Sequence, residues 1–389
     1  MESIIKQHIN FEKDLKIHDQ LFLKNIKGKN ILVIGGAGTI GLSYIKQVLK
    51  YKPSKITVVD INENGLTELT RDLRSSKMLN YNPEYITYPV NLLSDTFDKI
   101  YNSESWQVVA NFSAHKHVRS EKDEISVEAL IKNNVFGAIK LLNLCELSSP
   151  KYFFSVSTDK ATNPVNIMGA SKSLMEKLIL SKKKNFRVST ARFANVAFSN
   201  GSLLDGFIYR LKKKQPLSCP SDIKRFFVTP EQSGQICLLA TFLGKTGNIF
   251  FPKLDFYNDQ IYFRDIALDF IKKNGFEAVL SNSENDAKEF NFDKNPTKYP
   301  IYFFKTDTSG EKTFEEFYTE EEDYEITKYD SLGFINTPDI KISFKNVVTD
   351  FEEVFNNPNS KKLDIVNVII KYVPDFMHIE TGKHLDQKM

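Results

Sequence analysis

Cysteine, tryptophan and histidine are scarce in this sequence. Its 389 residues include three cysteines, one tryptophan and six histidines. The cysteines are Cys145, Cys219 and Cys237, which are odd in number, far apart and without metal-ligand spacing. This argues against a disulfide framework and against a cysteine-based zinc site. We therefore expect buried, reduced thiols in a cytoplasmic protein.

Long apolar runs and an excess of one charge are also lacking. The longest largely apolar run, ICLLATFL, is far shorter than the roughly 20 residues of a membrane-spanning helix. The N-terminus MESIIKQHINFEKDLKIHDQ interleaves charges with apolar residues and has no signal-peptide core. With Lys+Arg 52 against Asp+Glu 49, the formal net charge is only +3, which argues against a dedicated nucleic-acid binder. The composition predicts a soluble globular protein with no membrane span and no nucleic-acid partner.

Strand and helix patterns alternate from Lys29 onward. Short apolar strands are predicted in NILVIG, KITVVD, YITYPV, WQVVANFSA and KYFFSVS, and a further one in FRVSTARFANVAFS. Helical patterns fall between them, around residues 39–50, 64–74, 92–103 and 125–148, with another helix starting near Ile167. Alternation at this spacing predicts an α/β fold of the Rossmann type, with right-handed crossovers and a doubly wound parallel sheet. The ligand of such a sheet lies at the carboxyl ends of its strands.

The periodicity also suggests how the chain is divided. Residues 1–28 have apolar positions at helical spacing and predict a helical N-terminal extension that packs on the main body. Residues 29–200 form the predicted Rossmann domain. Beyond residue 200 the regularity fades, and we interpret 201–389 as a smaller, mixed substrate-binding and C-terminal region.

A glycine-rich turn, GGAGTIG, follows the first predicted strand directly. It places Gly35, Gly38 and Gly41 in a G-x-x-G-x-x-G spacing, and Thr39 and Ile40 open the helix that comes next. Glycines let the backbone turn tightly and approach a pyrophosphate, whose charge meets the free N–H groups and the positive end of the helix. Because a strand precedes the turn and a helix follows it, we predict a dinucleotide site rather than a plain connection.

Residues at the ends of the next strands extend this site. Asp60 closes the second strand about 20 residues further on, where a carboxylate can bond the ribose 2′-hydroxyl and repel a 2′-phosphate. This favours NAD over NADP as the cofactor. Asn91 ends the third strand, where related folds contact adenine, and Ser113 and Ala114 follow the fourth strand on the predicted nicotinamide side.

Several longer segments resemble one enzyme family. NFSAHKHVRSEKDE, STDKATNPVNIMGASK, RFANVAFSNGSLL and RFFVTP together resemble the nucleotide-sugar 4,6-dehydratases of the polysaccharide-biosynthesis branch of extended short-chain dehydrogenases. The likeness covers residues 29 to 245 and continues weakly at SGEK (309–312), where the family has R-P-G-E-K. It implies conversion of a UDP-N-acetylhexosamine to its 4-keto-6-deoxy sugar, in a redox-neutral cycle in which hydride leaves C4 for the nicotinamide and returns at C6.

The resemblance assigns the central chemistry to Asp159 and Lys160. Oxidation at C4 acidifies the C5 proton, so the reaction needs a base at C5 and an acid at the C6 hydroxyl. By resemblance, Lys160 takes the C5 proton and Asp159 protonates the departing C6 hydroxyl. Adjacent acid and base side chains can also tune one another by charge and burial.

Met168 departs from the pattern of most short-chain dehydrogenases. It stands where a tyrosine would begin a Y-x-x-x-K pair with Lys172, whose family role is to hold the nicotinamide ribose. A thioether has no ionisable group and cannot accept the C4 hydroxyl proton. We hypothesise that Asp159 or Lys160 also receives that proton, with Thr158 bonding O4. A sub-branch of the family shares this methionine and is active, whereas the alternative interpretation is a scaffold that binds cofactor without turnover.

Further residues are assigned to the substrate by resemblance. The diphosphate and sugar would contact Asn195, Ser199, Gly201 and Ser202, and a phosphate would pair with the planar guanidinium of Arg225.

Other polar residues in these segments leave alternatives open. Lys116 and Arg119 either face the diphosphate or solvate a helix end. His115 and His117 form an H-x-H pair without a third ligand, so we predict no metal site.

The leading interpretation is a cytoplasmic, homo-oligomeric UDP-N-acetylglucosamine 4,6-dehydratase for surface-polysaccharide biosynthesis. A nucleotide-sugar epimerase shares the cofactor cycle but needs no acid at C6, so the Asp159–Lys160 pair favours the dehydratase. A non-catalytic nicotinamide-binding protein is the alternative from another class.

Overall fold

The computed structural model describes residues 4–5, 9–182, 186–307, 309–312 and 314–382, with Arg119 described by its backbone alone. The strands are β1 Asn30–Ile34, β2 Lys55–Asp60, β3 Glu84–Pro89, β4 Val108–Asn111, β5 Tyr152–Val156, β6 Arg187–Ala191, β7 Asn195–Val196, β8 Leu217–Pro220, β9 Lys224–Val228, β10 Asn248–Pro252, β11 Gln260–Tyr262, β12 Glu277–Ser281, β13 Lys298–Phe304, β14 Tyr324–Glu325 and β15 Leu332–Asn336.

The helices lie between and after these strands. They are α1 Glu12–Ile17, α2 Asp19–Ile26, α3 Thr39–Leu49, α4 Glu63–Ser75, α5 Asp95–Asn102, α6 Glu124–Ile131, α7 Gly137–Ser148, α8 Ile167–Ser181, α9 Leu203–Lys212, α10 Pro230–Leu243, α11 Phe263–Lys273, α12 Glu284–Lys288, α13 Phe344–Phe355 and α14 Lys362–Tyr372. A π-helical turn, Lys132–Phe136, joins α6 to α7, and 3₁₀ turns span Val118–Glu121 and Asp159–Ala161.

A nine-stranded sheet forms the centre of the molecule, in the order β14-β15-β10-β6-β5-β4-β1-β2-β3. Every neighbouring pair from β3 to β10 is parallel, and β15 and β14 add an antiparallel edge. The order β3-β2-β1-β4-β5-β6 is that of a doubly wound dinucleotide-binding fold. The predicted Rossmann-type fold class is therefore confirmed, and the strand ends that should hold ligand lie on one edge.

Residue choice explains why these strands lie inside. Ile31, Leu32, Val33 and Ile34 are all buried, as expected for a parallel strand covered on both faces. One apolar cluster includes residues of α3 and α10 on one side of the sheet, and a second includes residues of α5 to α8, α13 and α14 on the other. The site is thus carried by a rigid sheet between two packed layers.

The predicted helical N-terminal region is present as α1 and α2, and it packs on the main body. Phe22 and Ile26 are fully buried in the cluster that contains α3 and α10. The buried Asp14 carboxylate accepts the backbone N–H groups of Asp330 (3.0 Å) and Ser331 (2.7 Å), which precede β15. These bonds fasten the start of the chain to its C-terminal third.

The C-terminal half contributes to several layers. Two small sheets form, in the orders β11-β9-β7 and β12-β13-β8, while β10 and β15 return to the main sheet and α14 packs near α6 and α8. The division at residue 200 remains a prediction. Within the described parts of the chain, no helix is both long enough and apolar enough to cross a membrane.

Candidate functional site

The glycine-rich turn between β1 and α3 is sterically constrained at three of its four glycines. A Cβ added at Gly36 would lie 2.3 Å from Val58 Cγ1. Gly35 has φ +74°, and a Cβ added there would lie 2.5 Å from the backbone nitrogen of Ser113. A Cβ on Gly41 would lie 2.4 Å from the carbonyl oxygen of Gly35. A Cβ on Gly38, in contrast, would meet only that same oxygen, at 3.5 Å. The fold itself requires Gly35, Gly36 and Gly41, whereas Gly38 leaves room beside the backbone for another molecule.

The start of α3 and the end of β2 lie beside the glycine-rich turn, and the three together form the candidate cofactor site, called here the cofactor cradle. Gly38 is the N-cap of α3 and offers no side-chain cap, so Thr39 and Ile40 begin a helix whose first amides face the turn. The carboxylate of Asp60 accepts N–H bonds from Ala37 (3.0 Å) and Asn62 (2.9 Å), which places it beside the turn. An open glycine, an uncapped helix start and a neighbouring carboxylate fit a dinucleotide.

The other predicted cofactor residues lie at the ends of β3 and β4. Asn91 is exposed, and its Oδ1 accepts the N–H of Leu93 at 2.8 Å. Ser113 donates its hydroxyl to Asn111 Oδ1 at 2.7 Å, and Ala114 follows it in the same loop. Both positions are on the carboxyl edge of the sheet, and their cofactor contacts remain predictions.

A π-helical turn holds this loop against α8. Asn134 accepts the N–H of His115 at 2.9 Å and donates to the His115 carbonyl at 3.0 Å. The same amide donates to the Ser171 hydroxyl at 2.9 Å. π-Bulges often occur at functional sites. Here the turn joins the loop after β4 to the helix that carries Lys172.

The Asp159–Lys160 pair follows β5 in a buried 3₁₀ turn. Asp159 is 1% exposed, and its N–H donates to the Phe193 carbonyl at 3.0 Å. Its Oδ1 accepts two bonds of 2.9 Å, from the Thr158 hydroxyl and from Lys160 Nζ. Its Oδ2 is buried and has no hydrogen-bond partner among the described residues. One carboxylate oxygen is thus held in place while the other is left for a proton or a ligand.

Lys172 and Met168 are both buried on α8. Lys172 Nζ donates to the Val156 carbonyl at 2.9 Å and contacts Met175 Sδ at 3.5 Å. Complete burial lowers the pKa of Lys172 to about 8, although Glu176 acts in the opposite direction. Met168 is 2% exposed and belongs to the apolar cluster that includes residues of α6 to α8. Its side chain is therefore part of the core and adds no ionisable group to the site.

Glu121 holds the start of α8 and was missed by the sequence analysis. Its carboxylate accepts the N–H groups of Ile167 (2.9 Å) and Met168 (2.8 Å). Burial raises the pKa of Glu121 to about 7, against the effect of these two bonds. In the sequence this residue lies within a charge-rich stretch that is typical of solvated surface, so no local signal marks it.

This pKa predicts a pH-dependent stability. The folded chain retains the Glu121 proton up to about pH 7, whereas the unfolded chain loses it near its ordinary pKa of 4.5. The folded state then binds more protons between these values, so stability falls as pH rises through them, by roughly 3 kcal/mol from this group. Urea unfolding should show the stability of wild type relative to Glu121→Gln falling by about 2 kcal/mol between pH 5 and pH 7.5, because these two pH values capture most of the full change. Glu124→Gln, at an exposed position of α6, is the control, and a difference independent of pH would contradict the prediction.

The SGEK segment, 309–312, docks on the loop that carries the acid–base pair. Gly310 has φ +69°, and an added Cβ would lie 2.6 Å from the Cβ of Asn166. Asn166 Nδ2 donates to the Gly310 carbonyl at 2.8 Å, and Lys312 Nζ donates to the Thr162 carbonyl at 2.9 Å. The glycine and the lysine of the motif thus make specific contacts although its arginine and proline are absent.

The chain after this segment brings a second acid to the pair. Glu315 is 2% exposed, and its Oε1 lies 3.9 Å from Lys160 Nζ and 3.7 Å from Arg225 Nη2. Arg225 is itself 5% exposed and donates to the carbonyls of Lys224 and Lys312, both at 2.9 Å. The structure therefore places Arg225 in a buried cluster with Lys160, and its contact with a phosphate remains a prediction.

The predicted substrate loop lies next to the cofactor cradle. The N–H of Asn200 donates to Thr39 Oγ1 at 3.0 Å, and Lys116 Nζ donates to the Asn200 carbonyl at 3.1 Å. Gly201 has φ +73°, and its Cβ position is 3.1 Å from His117 Nε2. Lys116 is exposed apart from this contact, so facing the diphosphate and being a solvated helix end both stay predictions.

The remaining loop residues have structural partners. Ser202 accepts the N–H of Asp205 at 3.1 Å and caps α9, and its own N–H donates to the Ser199 carbonyl at 2.9 Å. Asn195 Nδ2 donates to the Phe226 carbonyl at 3.3 Å. No group of three or more histidine, cysteine, aspartate or glutamate residues in the described ranges could hold a metal ion.

Comparison with known proteins gives a consistent family. The family described as polysaccharide biosynthesis protein matches residues 31–337. An uncharacterized membrane protein of Methanocaldococcus jannaschii is 31% identical over 79% of this chain and 85% of that one. The probable polysaccharide biosynthesis protein EpsC of Bacillus subtilis is 30% identical over 64% of this chain but only 42% of its own length. An inverting UDP-N-acetylglucosamine 4,6-dehydratase of Campylobacter jejuni is 31% identical over 58% of this chain and 67% of that one.

Solved structures share the fold at lower identity. Pen from Bacillus thuringiensis has a TM-score of 0.67 at 22% identity, covering 85% of this chain and 98% of that one. A UDP-N-acetylglucosamine 4-epimerase from Methanobrevibacter ruminantium, in complex with UDP-N-acetylmuramic acid, has a TM-score of 0.56 at 15% identity. The match covers 75% of this chain and 89% of that one. A dTDP-glucose 4,6-dehydratase from Bacillus anthracis in complex with NAD has a TM-score of 0.53 at 17% identity. The match covers 72% of this chain and 85% of that one. The chain therefore belongs to the polysaccharide biosynthesis protein family, and it has the Rossmann-type fold of the nucleotide-sugar dehydratases and epimerases.

Proposed function

We propose that this protein is a UDP-N-acetylglucosamine 4,6-dehydratase that uses NAD and serves surface-polysaccharide biosynthesis. The observation that carries the proposal is the buried Asp159–Lys160 pair, in which Oδ1 is bonded twice and Oδ2 is left without a partner among the described residues. An acid and a base side by side suit removal of a proton from one ring carbon and protonation of the hydroxyl on the next. The family and the Campylobacter jejuni relative support the same reaction class.

The residues around the pair suit two proton transfers. Once C4 of the sugar is a ketone, Lys160 Nζ accepts the C5 proton and the electrons of the C5–H bond move toward the C4 carbonyl. The electrons then return to form the C5–C6 double bond as the C6–O bond breaks and Asp159 donates a proton, so that water leaves. The proton on Asp159 would be carried on Oδ2, because Oδ1 already accepts Thr158 and Lys160.

The cofactor cradle supports the same proposal. Bound NAD would supply the reversible hydride acceptor that a redox-neutral dehydration requires. Asp60 would bond the adenosine ribose, and the uncapped start of α3 would face the pyrophosphate. Lys172, held at the Val156 carbonyl beside the end of β5, would orient the nicotinamide ribose.

Met168 leaves the C4 proton without its usual acceptor. The side chain is 2% exposed and apolar in its surroundings, so it orients neighbours by packing and moves no proton. We assign the C4 proton to Asp159 directly, or to Lys160 with transfer onward to Asp159 across their 2.9 Å bond, because both groups are adjacent to Thr158, which is proposed to bond O4. Either route leaves the Lys160 amine free for the C5 proton and Asp159 protonated for the C6 hydroxyl.

An epimerase is the closest competing function. Structural neighbours include a UDP-N-acetylglucosamine 4-epimerase, and the cofactor cradle alone suits either reaction. Epimerisation at C4 needs no acid at C6, so it gives Asp159 no role in proton donation. A non-catalytic scaffold would leave both members of the pair unused.

Proton NMR in deuterium oxide tests these three functions together. The full chain is incubated with UDP-N-acetylglucosamine and a trace of NAD, and dehydration predicts a new C6 methyl signal with deuterium at C5. Epimerisation predicts instead a new anomeric signal with an intact C6 hydroxymethyl group. Cofactor binding with no change in the sugar would support the scaffold and contradict the proposal.

A further inference from the structure

Glu315 is a buried acid for which the proposed proton transfers have no role. It lies on the segment after SGEK, and its exposure is 2%. Oε1 faces both Lys160 Nζ (3.9 Å) and Arg225 Nη2 (3.7 Å), while Oε2 lies 4.0 Å from Lys312 Nζ and accepts no hydrogen bond from the described residues. A carboxylate that is buried without full hydrogen bonding carries a free-energy cost, so its position calls for a functional reason.

The segment that carries Glu315 is firmly attached. Arg192 Nη1 donates to the Phe317 carbonyl at 2.9 Å, two residues beyond Glu315. The same guanidinium makes paired bonds to Glu176 on α8 (3.0 and 3.2 Å) and to Glu322 (2.9 Å each). Paired bonds of this kind fix geometry as well as charge. Glu315 is thus held relative to α8 and its distance to Lys160 is set by the fold.

The charges around Lys160 come from two elements. Asp159, on the same turn, accepts a bond from Lys160 Nζ, and Glu315 faces it from the other segment. Burial raises the pKa of Glu315, and Asp159 adds to this effect, while Lys160, Arg225 and Lys312 oppose it by attraction. The positive charges of Lys160, Arg225 and Lys312 thus favour the ionised form of the Glu315 carboxylate, which faces Lys160.

We propose that Glu315 is a positioning residue for Lys160, which holds the amine facing the substrate side of Asp159 and stabilises the ammonium form that arises when the C5 proton is taken up. The catalytic consequence of this interaction rests on the proposed function, in which Lys160 is the base. The electrostatic interaction between Glu315 and Lys160 does not depend on that function and can be measured without substrate. An opposite charge at this distance shifts the pKa of a group by about 1 to 3 units toward the charged form.

The direct test follows the titration of Lys160 by NMR of the full chain labelled with ¹³C at the lysine ε carbon. Lys160→Arg assigns the signal. In Glu315→Gln the Lys160 signal should titrate at lower pH than in wild type, because the carboxylate that favours the ammonium form is gone. An unchanged or raised midpoint in a folded variant would overturn the proposal.

Two further variants test whether the shift is specific to the Glu315 carboxylate. Glu316→Gln is the matched control, since this partly buried acid follows Glu315 but bonds Asn163 Nδ2 at 3.4 Å. It should leave the midpoint of Lys160 unchanged, and an equal shift there would count against a specific role for Glu315. Glu315→Asp keeps the charge at a shorter reach and should give a smaller downward shift, which preserves the test if Glu315→Gln does not fold.

The activity assay separates this proposal from the function. If wild type dehydrates the sugar, the pH profile of kcat for C5 deuteration should move to lower pH in Glu315→Gln, with KM little changed. A purely structural role would lower the rate without moving the profile, and would overturn the inference. If wild type shows no turnover, the proposed function fails, whereas the lysine titration still decides on Glu315.

Discussion

Replacing Lys160 by arginine is expected to lower the rate of dehydration by about 10²- to 10⁴-fold, the usual contribution of a general base. Arginine keeps the positive charge that Asp159 and Glu315 face, but its guanidinium stays protonated and cannot accept the C5 proton. The measurement is deuterium incorporation at C5 together with formation of the C6 methyl group, both by proton NMR. C5 exchange at the wild-type rate would contradict the assignment of Lys160 as base.

A neutral substitution at the same position separates catalysis from stability. Lys160→Met also removes the base, but it leaves the buried carboxylates of Asp159 and Glu315 without their shared cation. Breaking a buried ion pair by removing one partner typically costs about 3–5 kcal/mol, so this variant should be less stable than Lys160→Arg as well as inactive.

Nicotinamide reduction in the Lys160→Arg variant identifies the group that accepts the C4 proton. If C4 oxidation persists while C5 exchange is lost, Asp159 is the acceptor of the C4 proton.

Substitution of glycines in the turn after β1 should separate folding from cofactor binding. Gly41→Ala places a Cβ 2.4 Å from the Gly35 carbonyl oxygen, so the turn or α3 must move. Overpacking of this kind costs about 1–3 kcal/mol, and NAD affinity should be lost together with stability. Urea unfolding and calorimetric titration with NAD measure the two effects.

Gly38→Ala is the matched control for the turn. Its Cβ would meet only the Gly35 oxygen at 3.5 Å, and its φ of −74° suits alanine, so stability should change by less than about 1 kcal/mol. We nevertheless expect NAD affinity to fall about 10-fold or more, because the methyl group fills the space where a pyrophosphate would approach the backbone. Unchanged NAD affinity in Gly38→Ala would contradict the proposed position of the pyrophosphate.

Local patterns in the sequence predicted most of the central sheet. The predicted strands NILVIG and KITVVD correspond to β1 and β2, and KYFFSVS corresponds to β5. The helix expected near Ile167 begins at that residue, where Asn166 accepts the N–H of Gly169 at 2.7 Å and caps it. Such signals are short in range, because a buried strand, a glycine turn and a helix cap each involve residues close together in the chain.

Beyond residue 200, local sequence patterns predict less of the fold. There β10 pairs with β6 in parallel and β15 pairs with β10 in an antiparallel manner, so late segments complete a sheet begun near residue 30. Strand pairing across such separations depends on which surfaces remain uncovered after the earlier elements pack. Periodicity within a single segment does not contain that information.

The sequence by itself determined the Rossmann-type α/β fold, the glycine turn at Gly35 to Gly41 and the adjacency of Asp159 and Lys160, since each depends on neighbouring residues. Only the tertiary structure decided that Glu315 faces Lys160 and that Glu121 accepts the first two N–H groups of α8. These contacts join residues far apart in the chain, where burial and the distances between charges exist only after the layers have packed. For the same physical reason, the environment of the proposed base was set by the fold rather than by its motif.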